Sequence, residues 1–192
     1  MKNLIIIPTY NESENIEEIL DAILDKKELE TLHVLIVDDN SPDKTGKLVQ
    51  RFIDEKRFNG RLHLLEREGK LGLGTAYIAG FKWGLAEGYD ALIEMDADFS
   101  HNPDYLVPII HELKNVDFMV GSRYVNGGGV ENWGVLRQFI SRFGSFYART
   151  ILGIPMRDLT GGFNFWKREV LEKIGLDKIQ SNGYAFQVEL KY

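Results

Sequence analysis

Asp96 and Asp98 stand one residue apart in the stretch "ALIEMDADFSHNP", Ala91 to Pro103. The apolar run Ala91-Leu92-Ile93 reads as a buried strand, and Glu94 precedes the two aspartates. Alternate residues of a strand point to one side, so three like charges would sit together at its mouth. Their repulsion costs stability unless a cation removes it. Carboxylate oxygens suit a hard cation such as Mg²⁺ or Mn²⁺, which can in turn hold a diphosphate. A solvated strand end with a helix-capping aspartate explains a lone Asp-x-Asp as well. The position after a buried strand favours the metal.

Other polar clusters are weaker alone. Asp38 and Asp39 end a second apolar run; one carboxylate there could accept from the N–H groups of a base or from ribose hydroxyls. Turn chemistry explains "DDNSPD" equally. "GKLGLGTA", Gly69 to Ala76, suggests a phosphate cradle but fits neither nucleotide fingerprint, and a loop-to-helix turn accounts for it too. The four histidines show no metal-binding spacing, and His101 reads as capping or solvated. No G-x-S-x-G elbow is present. Trp133 to Arg157 carries Arg137, Arg142, Arg149 and Arg157 and no acid, in a chain of net charge -6. Leu136, Phe139, Ile140, Phe143 and Tyr147 recur there at helical spacing. Such a helix can lie on a membrane, present arginine to a phosphate, or pack on a sheet with its arginines in water.

The elements that must position these residues alternate. Strands are expected at Leu4–Ile7, His33–Val37, "LHLLE", the stretch from Ala91, and "DFMVGSR". Helices are expected from Ile16 to Leu24, around Leu48 to Ile53, from the glycine loop to about Glu87, and from Pro103 towards Lys114 with a kink at Pro108. This order predicts an α/β fold with a mainly parallel sheet flanked by helices. Ligands in such sheets sit beyond the carboxyl ends of the strands, where the polar clusters fall.

The 192 residues suffice for one α/β domain. The acidic balance argues against nucleic acid as a partner. The absence of cysteine excludes disulfides and thiol catalysis. No apolar run reaches the length of a membrane span, and the first run is too short for a signal peptide.

Taken together the blocks are far more specific. "IIIPTYNE", "VDDNSPDKTG", "GKLGLGTAYIAGF", "EMDADFSHNP", "GSRYVNGGG" and "RDLTGGFNFWKREVL" occur in this order. Over nearly the whole chain the sequence resembles the family-two glycosyltransferases of the GT-A fold, and within them the dolichol (polyprenol) phosphate mannose synthases. The resemblance implies a Rossmann-like nucleotide-sugar-binding fold. It implies transfer of mannose from GDP-mannose to a dolichyl or polyprenyl phosphate with inversion, using Mg²⁺ or Mn²⁺. Pro8, Tyr10, Glu12, Asp39 and Lys70 would bind the donor. Asp96 and Asp98 would hold the metal and diphosphate, with Asp98 catalytic, and Ser100 takes the place of a further ligand in relatives. Arg123 and Arg137 would be catalytic and face the acceptor phosphate. Asp158, Gly161 and Gly162 would shape the sugar pocket, and Gln187 and Glu189 would close it. Asn164 stands where many relatives carry arginine, which would weaken a phosphate contact. The chain stops inside what reads as a helix begun after Asn182, so 1–192 is expected to be a single catalytic domain truncated at its C-terminus. A soluble chain without a transmembrane span, peripheral on the cytoplasmic face of a membrane, follows from the resemblance. Rival readings are a glucosyltransferase or another nucleotide-sugar transferase, a metal-dependent nucleotidyltransferase, and a non-catalytic nucleotide-sugar-binding module.

Overall fold

The computed structural model describes residues 1–125 and 135–192, and of residues 135–143 and 184 the backbone alone. Six strands form one sheet in the order β3-β2-β1-β4-β6-β5. β1 (Asn3–Thr9), β2 (Leu32–Asp38), β3 (Leu62–Glu66) and β4 (Ala91–Glu94) run parallel. β6 (Asn164–Lys167) lies antiparallel between β4 and β5 (Phe118–Val120).

The period-two pattern of β1 builds two cores. Ile5 and Ile7 face α1 (Ile16–Leu24) and α2 (Thr45–Asp54), with Leu106 of α4 (Leu106–Glu112) in the same cluster. Leu4 and Ile6 face α3 (Leu73–Ala86), joined by α6 (Arg168–Ile174) and α7 (Tyr184–Lys191). α1 forms because Ile16, Ile19, Leu20, Ile23 and Leu24 lie on one side, and all five are buried. Each contributes about 1.5–3 kcal/mol by leaving water. α3 carries no such stripe; small residues let it approach the sheet instead. A Cβ on Gly80 would lie 2.5 Å from Ile6 Cγ2, and one on Gly84 2.5 Å from Leu92 Cδ2. Much of the glycine content of "GKLGLGTAYIAGFKWG" thus serves packing.

Two expected elements differ, and one strand is new. Pro108 does not kink a helix. A 3₁₀ turn occupies Pro103–Tyr105, and α4 starts at Leu106, so Pro108 falls in its first turn. An N–H there has no intrahelical partner, and its absence costs nothing. The fifth strand is only Phe118–Val120. β6, followed by α6, was not expected. Its residues Asn164, Phe165 and Trp166 are all buried, so it shows no alternation to read. α5 (Val135–Leu152) forms over the arginine-rich stretch. Of the apolar residues expected on its packed face, Leu136, Phe139, Ile140 and Phe143 have side chains outside the described residues, while Tyr147 is 59% exposed.

At the opposite, amino end of the sheet, His33 of β2 and His63 of β3 face each other. His33 Nδ1 and His63 Nε2 lie 3.0 Å apart, with ring planes 6° from parallel and centroids 5.3 Å apart. That combination describes two imidazoles in line, nitrogen to nitrogen, rather than stacked faces. Tyr89 Oη lies 3.2 Å from the same His63 nitrogen. One proton serves the pair, and a second would place two cations in contact. Burial, then the neighbouring His63, lowers the His33 pKa from 6.5 to about 4, and burial lowers that of His63. The folded state therefore disfavours the imidazolium. Stability is complete above the unfolded value of 6.5 and falls as pH drops towards about 4. His33→Gln should flatten this slope, removing on the order of 2 kcal/mol of acid destabilisation. Urea midpoints of native and variant protein at about pH 7 and pH 5 measure it, and parallel losses in both would exclude the pair as the cause.

Candidate active site

The C-terminal ends of β1, β2 and β4 open into one cleft of about 300 Å³, lined by Pro8, Tyr10, Glu12, Asp39, Lys70, Asp96 and Asp98. Seven residues singled out in the sequence are therefore brought together. Gly72, Leu73 and Ala76 close one wall at the start of α3.

The end towards β2 is built for hydrogen bonding. Asp39 is 6% exposed and accepts from the Leu71 backbone N–H at 3.1 Å. Arg67 Nε lies 3.2 Å from its other oxygen, Oδ1, which accepts no hydrogen bond. A buried carboxylate oxygen with spare acceptor capacity suits N–H or hydroxyl donors of a ligand. The Lys70 ammonium lies 4.1 Å above the Tyr10 ring, a cation–π contact that places a positive charge beside the cleft. The loop after β1 is braced on α2: Glu12 N–H donates to Thr45 Oγ1 at 3.0 Å, and Asp43 accepts from Ser13 N–H and from Thr45. Burial works to raise the Asp43 pKa, but these hydrogen bonds outweigh it and hold it at about 2.

The end towards β4 carries Asp96 and Asp98. Tyr77 Oη donates to Asp96 Oδ1 at 3.1 Å, and the Asp96 N–H donates to His101 Nδ1 at 3.1 Å. A histidine accepting at Nδ1 carries its proton on Nε2, which lies 3.9 Å from Asp96 Oδ2. His101 is thus neither a cap nor solvated; it stacks on Phe163 with centroids 4.9 Å apart. Burial, offset in part by His101 and Tyr77, raises the Asp96 pKa. Asp98 is the opposite case. Burial would raise its pKa, but hydrogen bonds from Ser100 outweigh it and lower the value. Between Asp98 and Ser100, Phe99 adopts φ 58°, a conformation costly for a bulky residue. The turn that aims Asp98 carries this strain.

Glu94 does not join the two aspartates. It is fully buried and accepts from Trp166 Nε1 at 2.7 Å, Asn164 Nδ2 at 3.1 Å and Gln187 Nε2 at 2.5 Å. Burial raises its pKa to about 7 against the pull of Lys191 and these donors. The expected trio of carboxylates is therefore a pair plus a structural carboxylate, because β4 ends at Glu94 and the chain turns there. Asn164 belongs to this buried network, not to a phosphate site. Gln187 binds Glu94, and Glu189 accepts from the N–H groups of Gln180 and Ser181. Neither lines the cleft.

Asp158 is placed differently from expectation too. Fully buried, it accepts from Arg123 N–H at 3.0 Å, Nε at 2.7 Å and Nη2 at 2.6 Å, and from the Gly161 N–H at 3.0 Å. It fixes Arg123, and Gly161 belongs to the same turn. Gly162 lies beside Asp96, where an added Cβ would sit 3.8 Å from Oδ2. Arg137 lies on α5, and its side chain is outside the described residues. Tyr77, Arg67 and the positioning role of His101 escaped the sequence reading. Tyr77 carried no local signal beyond its place on a buried helix face.

The donor set fits a hard cation completed by a ligand. Among the described residues no group of three His, Cys, Asp or Glu converges as a metal cage would. Mg²⁺ needs fewer, since it is usually held by one or two carboxylates together with substrate phosphates. Asp96 and Asp98, both lining the cleft, supply that number.

The cleft and its paired aspartates lie at the carboxyl edge of the sheet, where α/β folds bind their ligands. The profile of glycosyl transferase family 2 matches residues 4–175, and the chain belongs to that family. It is 44% identical over 194 residues to the polyprenol monophosphomannose synthase of Mycolicibacterium smegmatis, covering 100% of this chain and 71% of that protein. It is 44% identical over 192 residues to the undecaprenyl-phosphate mannosyltransferase of Micrococcus luteus, covering 100% and 77%. Solved structures share the fold. A mannosyltransferase from Pyrobaculum calidifontis in complex with GDP-Man and Mn²⁺ aligns with TM-score 0.60 at 21% identity, over 96% of this chain and 50% of that one. Glucosyl-3-phosphoglycerate synthase from Mycobacterium tuberculosis, in complex with Mn²⁺, UDP-glucose and phosphoglyceric acid, aligns with TM-score 0.68 at 19% identity, over 98% and 63%. The chain thus spans half to under two thirds of those structures, and the expected GT-A architecture holds.

The Arg123–Asp158 pair generates a stability prediction. Asp158→Ala would take from the Arg123 side chain, only 17% exposed, the carboxylate that accepts from its Nε and Nη2. Removing one member of a buried pair costs about 3–5 kcal/mol. Urea unfolding should show a loss of that order, and a loss below about 1 kcal/mol would mean that solvent replaces the carboxylate.

Proposed function

We propose that this chain transfers mannose from GDP-mannose to a polyprenyl phosphate, inverting the anomeric carbon, with Mg²⁺ or Mn²⁺ held by Asp96 and Asp98. The observation that carries the reading is the single cleft in which Asp39, Lys70 and Tyr10 meet Asp96 and Asp98. The names of the two curated relatives support the lipid phosphate acceptor and the mannosyl group. The blocks "DADFSHNP" and "GSRYVNGGG" support GDP-mannose as the donor.

The chemistry asks for position and charge more than for a base. A hydroxyl acceptor would need a general base to lose its proton. A lipid phosphate is already an anion near neutral pH, and its oxygen attacks the anomeric carbon as the bond to the diphosphate breaks and GDP leaves with the electron pair. A divalent cation in this site supplies Lewis-acid neutralisation of the departing charge, an effect of several kcal/mol. Asp96, held by Tyr77 and adjacent to His101, and Asp98, held by Ser100, present their oxygens on the diphosphate side. Arg123, fixed by Asp158, screens the repulsion between the two phosphate-bearing reactants. Arg137 is proposed as the second arginine on the acceptor phosphate, since a guanidinium can bind it through two parallel bonds.

We place the chain against the cytoplasmic face of a membrane as a peripheral protein. No described helix is long and apolar enough to cross a bilayer. On α5, Phe146, Tyr147 and Ile151 are 55%, 59% and 62% exposed. Aromatic and aliphatic groups in an arginine-bearing, acid-free segment suit an interface with anionic lipid.

One set of measurements tests the reading. GDP-mannose with Mn²⁺ should raise the melting temperature more than UDP-glucose with Mn²⁺, and Asp98→Ala should abolish Mn²⁺-dependent binding of GDP-mannose in calorimetry. In transfer assays with a short-chain polyprenyl phosphate, Arg137→Ala should lower acceptor efficiency about tenfold to a hundredfold, as lost charge-assisted contacts would, while donor affinity holds. A larger shift with UDP-glucose would overturn the mannose donor. Unchanged Mn²⁺ dependence in Asp98→Ala would overturn the metal site.

A further inference from the structure

Lys191, near the end of α7, is 8% exposed. Lysine is among the residues most rarely buried, and an ammonium is buried only with partners. Its partners are two backbone carbonyls: Gly161 O at 2.7 Å and Leu159 O at 3.2 Å. These carbonyls stand on either side of Thr160. The same turn grips Arg123 from its other side, through the two oxygens of Asp158 and through Thr160 Oγ1, which accepts from Arg123 Nη2 at 2.9 Å. A turn held by a buried cation on one side and holding an arginine on the other is a mount.

We propose that Lys191 is a positioning residue for Arg123: by holding the carbonyls of Leu159 and Gly161 it fixes the Asp158–Gly161 turn, and with it the orientation in which the guanidinium meets the acceptor phosphate. The proposal rests on the acceptor reading of Arg123 given above. A leucine or methionine at this point of α7 would fill the same space but could not bond two carbonyls.

Three charged groups face the ammonium: Glu94 from β4 and Asp158 from the turn favour it, and Arg123 opposes it. Burial weighs most and brings the Lys191 pKa from 10.5 down to about 8. The grip should therefore weaken as pH rises through about 8. Folding stability should not fall with it. The folded value lies below the unfolded one, so between about 8 and 10.5 the rise in pH favours the folded state through this group. Acceptor efficiency lost without stability is a signature that a purely structural lysine would not give.

The test uses Lys191→Met and Lys191→Arg, with Arg123→Ala in parallel, assayed with GDP-mannose, Mn²⁺ and a short-chain polyprenyl phosphate. Lys191→Met should raise the acceptor KM about tenfold, the effect of about one lost charged hydrogen bond. It should leave GDP-mannose affinity within about twofold and remove the alkaline fall in acceptor kcat/KM. Lys191→Arg should restore KM and move that fall to higher pH, because a guanidinium stays charged. An unchanged acceptor KM in Lys191→Met, equal losses of donor and acceptor affinity, or an alkaline fall that persists in the variant would each overturn the proposal. If Arg123→Ala alone raises the acceptor KM, only the positioning role fails. If neither variant raises it, the acceptor reading of Arg123 fails first. Should Lys191→Met not fold, Lys191→Arg and the native pH profile decide, and an absent alkaline fall in native protein overturns the inference.

Discussion

One buried carboxylate ties the catalytic edge of the sheet together. Glu94 closes β4 with no exposed surface and takes donors from Trp166, Asn164 and Gln187. A charge in an apolar interior persists only where hydrogen bonds and opposite charge replace water. Here β6 and α7 supply both, with Lys191 as the nearby cation. The requirement fixes geometry. β6 enters the sheet with Asn164 opposite Glu94, and α7 docks with Gln187 turned towards the same group. Two residues further on, Asp96 emerges into the cleft. The turn that carries the cleft aspartates is therefore anchored from behind by residues about seventy and ninety positions away.

Around that anchor the labour is divided by strand. β1 and β2 end in loops that lock to each other: Asp38 accepts from Thr9 and Ser41, and Asp43 from Ser13 and Thr45. These bonds hold the donor side in shape without a ligand. The turn after β4 supplies the aspartates, one with its pKa raised by burial and the other with its pKa lowered by hydrogen bonds from Ser100 that outweigh burial. The residues after β5 supply Arg123, drawn in by Asp158. The carboxylates of the cleft and the arginine thus come from opposite sides of β6. Separation of this kind keeps the arginine from neutralising the aspartates directly, although it is close enough to lower the Asp96 pKa.

The sequence was legible where the physics is local. α1 could be read from its apolar spacing, and β1, β2 and β4 from aliphatic runs ended by polar turns. The cleft residues Tyr10, Asp39, Lys70, Asp96 and Asp98 followed from their places after those strands and from the family blocks. What failed depended on distant partners. Glu94 looks like a third metal ligand until Trp166 and Gln187 are known to reach it. Asp158, Gln187 and Glu189 sit in family motifs, yet their partners, Arg123, Glu94 and the Gln180–Ser181 backbone, could not be read from those motifs. β6 hid because both faces are covered. Pro108 misled because the Asn102 cap, accepting from Asp104, opens only a 3₁₀ turn, and α4 starts three residues later at Leu106.

The central claim is that two aspartates receive the cation while Glu94 serves as a brace behind them. Crystals grown with Mn²⁺ and GDP-mannose, measured for the anomalous signal of manganese, test it most directly. We expect one strong peak bound by Asp96, Asp98 and the donor diphosphate, with Glu94 still bonded to Trp166, Asn164 and Gln187. A peak with Glu94 among its ligands, or manganese bound away from both aspartates, would contradict it.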